Sequence, residues 1–99
     1  MKEFSSISEA IDALRNKQVF GFKIVRDDRV SVNVRLLEEN AMQLKIVRHG
    51  GVEDSGIYAN LTPSKEMDVL LYILLGHVER GKNHNQKVVI RELEEPASA

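Results

Sequence analysis

Three consecutive runs of alternating apolar and polar residues, joined by very short connections, restrict what this chain can fold into more than any other feature. Residues 19–26 set Phe20, Phe22 and Ile24 on one face and Lys23 on the other. Residues 29–37 oppose Val30, Val32, Val34 and Leu36 to Ser31, Asn33 and Arg35, and residues 42–48 oppose Met42, Leu44 and Ile46 to Gln43 and Lys45. A period of two over seven to nine residues is the mark of a strand with one dry face and one wet face. The connections Asp27-Asp28 and Glu38-Glu39-Asn40 consist of turn-forming residues, so the runs are expected to pair as antiparallel hairpins.

Helical signals flank this meander. Ser6-Ile7-Ser8-Glu9 reads as a capping box, followed by Ile7, Ile11 and Leu14 at helical spacing, which predicts a short helix ending near Asn16 with Phe4 against its first turn. After the third run, His49-Gly50-Gly51 ends the strand, and residues 52–56 read as a loop or a distorted edge. Residues 57–61 are expected to form a fourth short strand. Residues 62–80 read as a long helix, with Thr62 as cap, Pro63 at the first position, Glu66 and Asp68 early, Arg80 late and Gly81 as the stop. A polar loop at 82–85 leads to a last strand over 86–93, and residues 94–99 read as a frayed, flexible tail. With 99 residues, one domain over 1–93 is expected. The class is α+β: a two-layer sandwich with an antiparallel sheet of three to five strands and helices on one face, in the order α-β-β-β-(β)-α-β.

The long helix is apolar on two sides. Met67, Leu70, Leu71, Leu74, Leu75 and Val78 form one broad stripe, suited to covering a sheet, while Val69, Tyr72, Ile73 and Gly76 form a second at i, i+3, i+4 and i+7. A small domain needs one such stripe; the second calls for a partner or an internal cover. Glycine inside a helix costs about 1 kcal/mol against alanine, a loss that a close approach would offset.

Chemistry is sparse. The absence of cysteine excludes disulfides, thiolate catalysis and cysteine-ligated metal. His77 and His84 stand seven apart with no ligand pair at zinc spacing, and His77 falls on a polar flank of the helix, as a solvated helix-end residue would. His49 reads as a strand-end residue. The glycine-rich loop 50–56 carries Glu53 and Asp54 and leads toward a strand, which disfavours a phosphate cradle, and Ser55 sits in no nucleophile pattern. No catalytic residue, cofactor or metal is therefore expected. The first residues lack the apolar run of a signal peptide and the longest apolar run, 69–75, is too short to span a bilayer, so a cytoplasmic protein without membrane contact is expected.

The net charge of −1 conceals an uneven distribution: residues 15–50 hold eight basic against four acidic residues. Lys23, Arg35 and Lys45 share the wet strand face by alternation, with Arg48 as a further candidate, and such a set can contact phosphates. Stacking aromatics are scarce there, with Tyr58 the one candidate. The leading expectation is a non-enzymatic binding or regulatory module that acts by protein–protein contact and self-associates, as a homodimer or with another protein, through Val69, Tyr72, Ile73 and Gly76. The alternatives are a nucleic-acid-binding protein using Lys23, Arg35, Lys45 and Arg48, or a small-ligand-binding protein or weak enzyme.

Overall fold

Ser6 opens the first helix, α1 (Ile7–Arg15), by accepting the Glu9 amide on its hydroxyl at 3.2 Å. The Glu9 carboxylate reaches back one residue further than a capping box requires, accepting from the Ser5 amide at 3.2 Å and the Ser5 hydroxyl at 2.6 Å. The inward side of α1 buries Ile7, Ala10, Ile11, Ala13 and Leu14. The helix ends in a Schellman motif: Lys17 has φ 58°, its amide donates to Leu14 O, and the Gln18 amide donates to Ala13 O. The structure, a computed structural model, describes residues 2–27, 30–37, 41–48, 51–58 and 65–93, without the side chains of 52–55, 57, 58 and 66. The turn residues 28 and 38–40, His49, Thr62, Pro63 and the expected tail 94–99 lie outside that set, as do the side chains of Glu53, Asp54, Ser55, Tyr58 and Glu66.

The three alternating runs form β2 (Gly21–Arg26), β3 (Val30–Leu36) and β4 (Met42–Arg48), paired antiparallel in sequence order. Two strands were less visible in the sequence. β1 (Glu3–Phe4) precedes α1 and is too short for a periodic signal, and β5 (Gly51–Tyr58) begins where a loop or distorted edge was expected. Its distortion is one β-bulge: Ile46 faces Asp54 while Val47 faces Val52, which leaves Glu53 as the extra residue on an edge strand. The last strand, β6 (Val88–Glu92), enters between β1 and β2, so the sheet order is β1-β6-β2-β3-β4-β5 with every pairing antiparallel. The fold is thus the expected α+β two-layer arrangement, with β1 added ahead of α1.

α2 (Lys65–Asn83) contacts β5, β2 and β6 and touches α1. Gly81 does not stop it. The helix continues to Asn83 and closes in a second Schellman motif, with Asn85 at φ 56°, Asn85 N donating to Lys82 O and Gln86 N donating to Gly81 O at 2.8 Å. Gly81 is buried where the helix crosses the sheet: a Cβ there would lie 2.5 Å from Val88 Cγ2 and 3.4 Å from the Arg26 side chain. Close approach, rather than chain termination, explains this glycine.

One apolar cluster joins both helices to a single sheet face. Met67, Leu70 and Leu74 of α2 and Ala10, Ile11 and Leu14 of α1 pack on Phe22, Ile24, Val32, Val34, Met42, Leu44 and Ile90. Burying each large aliphatic side chain of this kind contributes roughly 1.5–3 kcal/mol. Phe4 meets Phe22 edge-on, with ring centroids 6.5 Å apart, which docks β1 on the core. Among the described residues, no helix is long and apolar enough to cross a membrane.

Candidate binding surfaces

The second apolar stripe divides in the structure. Val69 is 51% and Tyr72 81% exposed, whereas Ile73 is half-buried and packs on the core cluster. Gly76 is half-buried, and among the described residues a Cβ on it would meet nothing nearer than the Arg80 guanidinium at 3.6 Å, so no packing of the described residues requires glycine there. Leu75, expected in the core stripe, is instead 53% exposed. The core line of α2 runs through Met67, Leu70, Leu74, His77 and Gly81, which rotates Leu75 off the sheet. The outward face therefore presents Val69, Tyr72 and Leu75 together, bordered by the exposed Lys65, Asp68, Glu79 and Arg80. Arg80 folds back along the helix and donates from Nε to the Gly76 carbonyl at 3.3 Å.

His77 is not a solvated helix-end residue: it is buried, and its Nδ1 lies 3.2 Å from Arg26 Nη1. Arginine is a donor only, so Nδ1 is the acceptor in this contact. Arg26 is also buried and donates from Nε to Gln86 Oε1 at 2.8 Å. Burial, followed by the nearby positive charges of Arg80 and Arg48, lowers the Arg26 pKa from the usual arginine value, while Asp27 opposes the shift. Alternation places Arg26 on the dry face of β2 but shows neither of its partners. Arg26 stands at the end of β2, on the same face as Phe22 and Ile24, where a charge survives because His77 and Gln86 accept hydrogen bonds from it.

Arg48 does not join the wet sheet face. It lies an even number of residues from Met42, Leu44 and Ile46, and the register Arg26–Val30–Arg48 places it on the helix-bearing face. Lys23, Arg35 and Lys45 do share the opposite face, and β6 adds Arg91, a residue the sequence reading missed. Arg91, Lys23, Asn33 and Lys45 form one row across four strands, with Glu3 beside Arg91 at the edge. Arg35 and Gln43 pair in a neighbouring row and Val89, Val25, Ser31 and Val47 in another. The Arg35 guanidinium lies 5.4 Å from the Phe20 ring centroid. Lys23 and Arg91 are directly opposed like charges, and Arg91 Nε is buried without a hydrogen-bond partner among the described residues.

A groove of about 340 Å³ runs between the start of α1 and the last turns of α2. Phe4, Ile7, Leu75, Val78, Val88 and Ile90 contribute its apolar lining. Its two serine hydroxyls are already engaged, Ser5 donating to Glu9 and Ser6 accepting from the Glu9 amide. Among the described residues, no three His, Asp or Glu side chains gather at metal-binding distance. No protein-family model matches the chain, and no curated protein or solved structure matches it either.

Proposed function

We propose that the protein is a small non-enzymatic binding module that acts by protein–protein contact through the outward face of α2 and self-associates there. The observation that supports this reading is the exposure of Val69, Tyr72 and Leu75 side by side on a helix whose other side already fills the core. Large apolar groups exposed singly are ordinary, but a contiguous set rimmed by charges marks interaction sites. Aromatic anchors such as tyrosine at the centre of such a set carry a large share of binding energy. Light scattering on a size-exclusion column across a concentration series tests it. The parent chain is expected to shift toward dimer with concentration, and Tyr72→Glu to remain a folded monomer. A parent that stays monomeric at every concentration, or a Tyr72→Glu variant that associates as the parent does, overturns the reading.

A second reading, nucleic-acid binding on the open sheet face, is favoured by the row Arg91, Lys23, Asn33 and Lys45 with Arg35 beside it. Among the described residues of that face the one acid is Glu3, at the edge. Phosphate contacts of this kind give an affinity that falls steeply with salt, in proportion to the phosphates neutralised. Arg35→Glu should weaken retention of a single-stranded oligonucleotide; unchanged retention would sink this alternative.

A further inference from the structure

The outward face of α2 is complementary to itself in one orientation, and we propose that the occupant of this face is a second copy of the chain, with the two α2 helices antiparallel about a two-fold axis at Tyr72. This rests on the self-association reading above and specifies its geometry. An isologous contact requires that every residue and its mate be equidistant from the axis. With Tyr72 on the axis, Val69 falls opposite Leu75 of the other copy, so the two remaining exposed aliphatic residues of the face meet each other twice. The same operation sets Lys65 opposite Glu79, both exposed and of opposite charge. It also sets Asp68 opposite Gly76. That position is not empty, because the Arg80 side chain folds back over it and bonds the Gly76 carbonyl, which brings its guanidinium to the place where the other copy's Asp68 arrives.

Both exposed acids of this face therefore meet exposed cations, and the apolar residues meet at the centre. A parallel pairing has the opposite consequence, setting Lys65 on Lys65, Asp68 on Asp68 and Glu79 on Glu79. Glycine at 76 fits the antiparallel contact as well: it leaves the helix surface low where Arg80 and an incoming side chain must both lie, although nothing among the described residues demands it. The sheet face opposite the helices is less suited, since a two-fold axis at its central row would bring Arg91, Lys23 and Lys45 against their own copies. Like charges in such juxtaposition exclude a partner.

The chain contains no cysteine, so engineered disulfides read the geometry directly. Tyr72→Cys is expected to oxidise to a covalent dimer. Val69→Cys alone is not, because its own copy lies six residues, about 9 Å, further along the helix axis, beyond disulfide reach. A mixture of Val69→Cys and Leu75→Cys chains is expected to give the mixed dimer. Without cysteine, Lys65→Glu should weaken the dimer about tenfold through two rim pairs, and Lys65→Glu with Glu79→Lys should restore it. Association without cross-linking at residue 72, cross-linking of Val69→Cys to itself, or failure of the charge exchange to restore affinity overturns this geometry while leaving self-association standing. A chain that stays monomeric at every concentration overturns both.

Discussion

The Arg26 guanidinium and the His77 imidazole, 51 residues apart in sequence, meet in the interior with Nη1 and Nδ1 at 3.2 Å. Together with Gln86, which accepts from Arg26 Nε, they tie the end of β2 to the last turns of α2 and the residues after it. His77→Leu leaves a buried charged donor without its acceptor, a loss of about 1–3 kcal/mol. That lowers the thermal midpoint by roughly 4–8 °C for each kcal/mol in a domain of this size. Adding Arg26→Met removes the stranded charge, so the double variant should lose less than the sum of the two single losses. Thermal denaturation of the four proteins of the cycle measures the difference; strict additivity would mean that the contact does not couple the two residues.

The two glycines of α2 should respond to alanine with opposite signs. At Gly81 the added methyl meets Val88 Cγ2 at 2.5 Å, and the β-branched valine cannot rotate away freely, so overpacking of about 1–3 kcal/mol outweighs the helix-propensity gain. At Gly76 the methyl enters ordinary contact with Arg80 alone among the described residues, so Gly76→Ala should stabilise the dilute protein by about 1 kcal/mol. Denaturant unfolding at low concentration checks both.

Glu9 links helix capping to pH. The Ser5 hydroxyl, then the Ser5 amide, hold its carboxyl below the usual glutamate value, with a smaller contribution from Lys2 and with desolvation opposing. A carboxylate depressed in the folded state contributes stability above its unfolded pKa and loses it as pH falls through the folded value. Glu9→Gln should therefore be less stable than the parent at neutral pH, and the gap should close as pH drops below about 4.3 and on through the folded value. Unfolding curves for the two proteins across that range test the linkage; a gap independent of pH would show that the charge of Glu9 is not what stabilises the cap.

Periodicity carried the sheet because β2, β3 and β4 each bury one face against the helices, and burial on one face is what alternation encodes. It did not carry the position of β6, since a helix crossover permits either edge and pairing partners leave no mark in a single strand's pattern. Arg91 escaped notice for that reason, as its place beside Lys23 exists in the register alone. Arg48 was legible and misread: its parity with Met42, Leu44 and Ile46 already placed it on the helix side. His77 and Gly81 looked like helix-end residues because polarity and glycine usually signal an end. Here one answers a buried arginine and the other admits a strand, and both needs arise between elements distant in sequence. Of the outward stripe, Val69 and Tyr72 are exposed, but the wheel set Ile73 outward and Leu75 in the core, and the structure reverses both because the two flank the boundary of the core.

Lys23 lies between two demands on the sheet, and reversing its charge separates them. Its direct partner on β6 is Arg91, and on β3 it is the neutral Asn33, so the fold itself gains nothing from a cation at this position. Lys23→Glu converts an opposed like-charge pair into an attractive one, and cross-strand pairs of this kind are worth roughly 0.2–1 kcal/mol. The variant should therefore unfold at a slightly higher denaturant concentration than the parent. If the row Arg91, Lys23 and Lys45 engages phosphates, the same variant should release a single-stranded oligonucleotide at lower salt, with a shallower salt dependence. Higher stability together with weaker oligonucleotide retention would mean that the charge is kept for a ligand at the expense of the fold. Higher stability with no change in retention would leave the sheet face without a polyanion partner and the α2 face as the working surface.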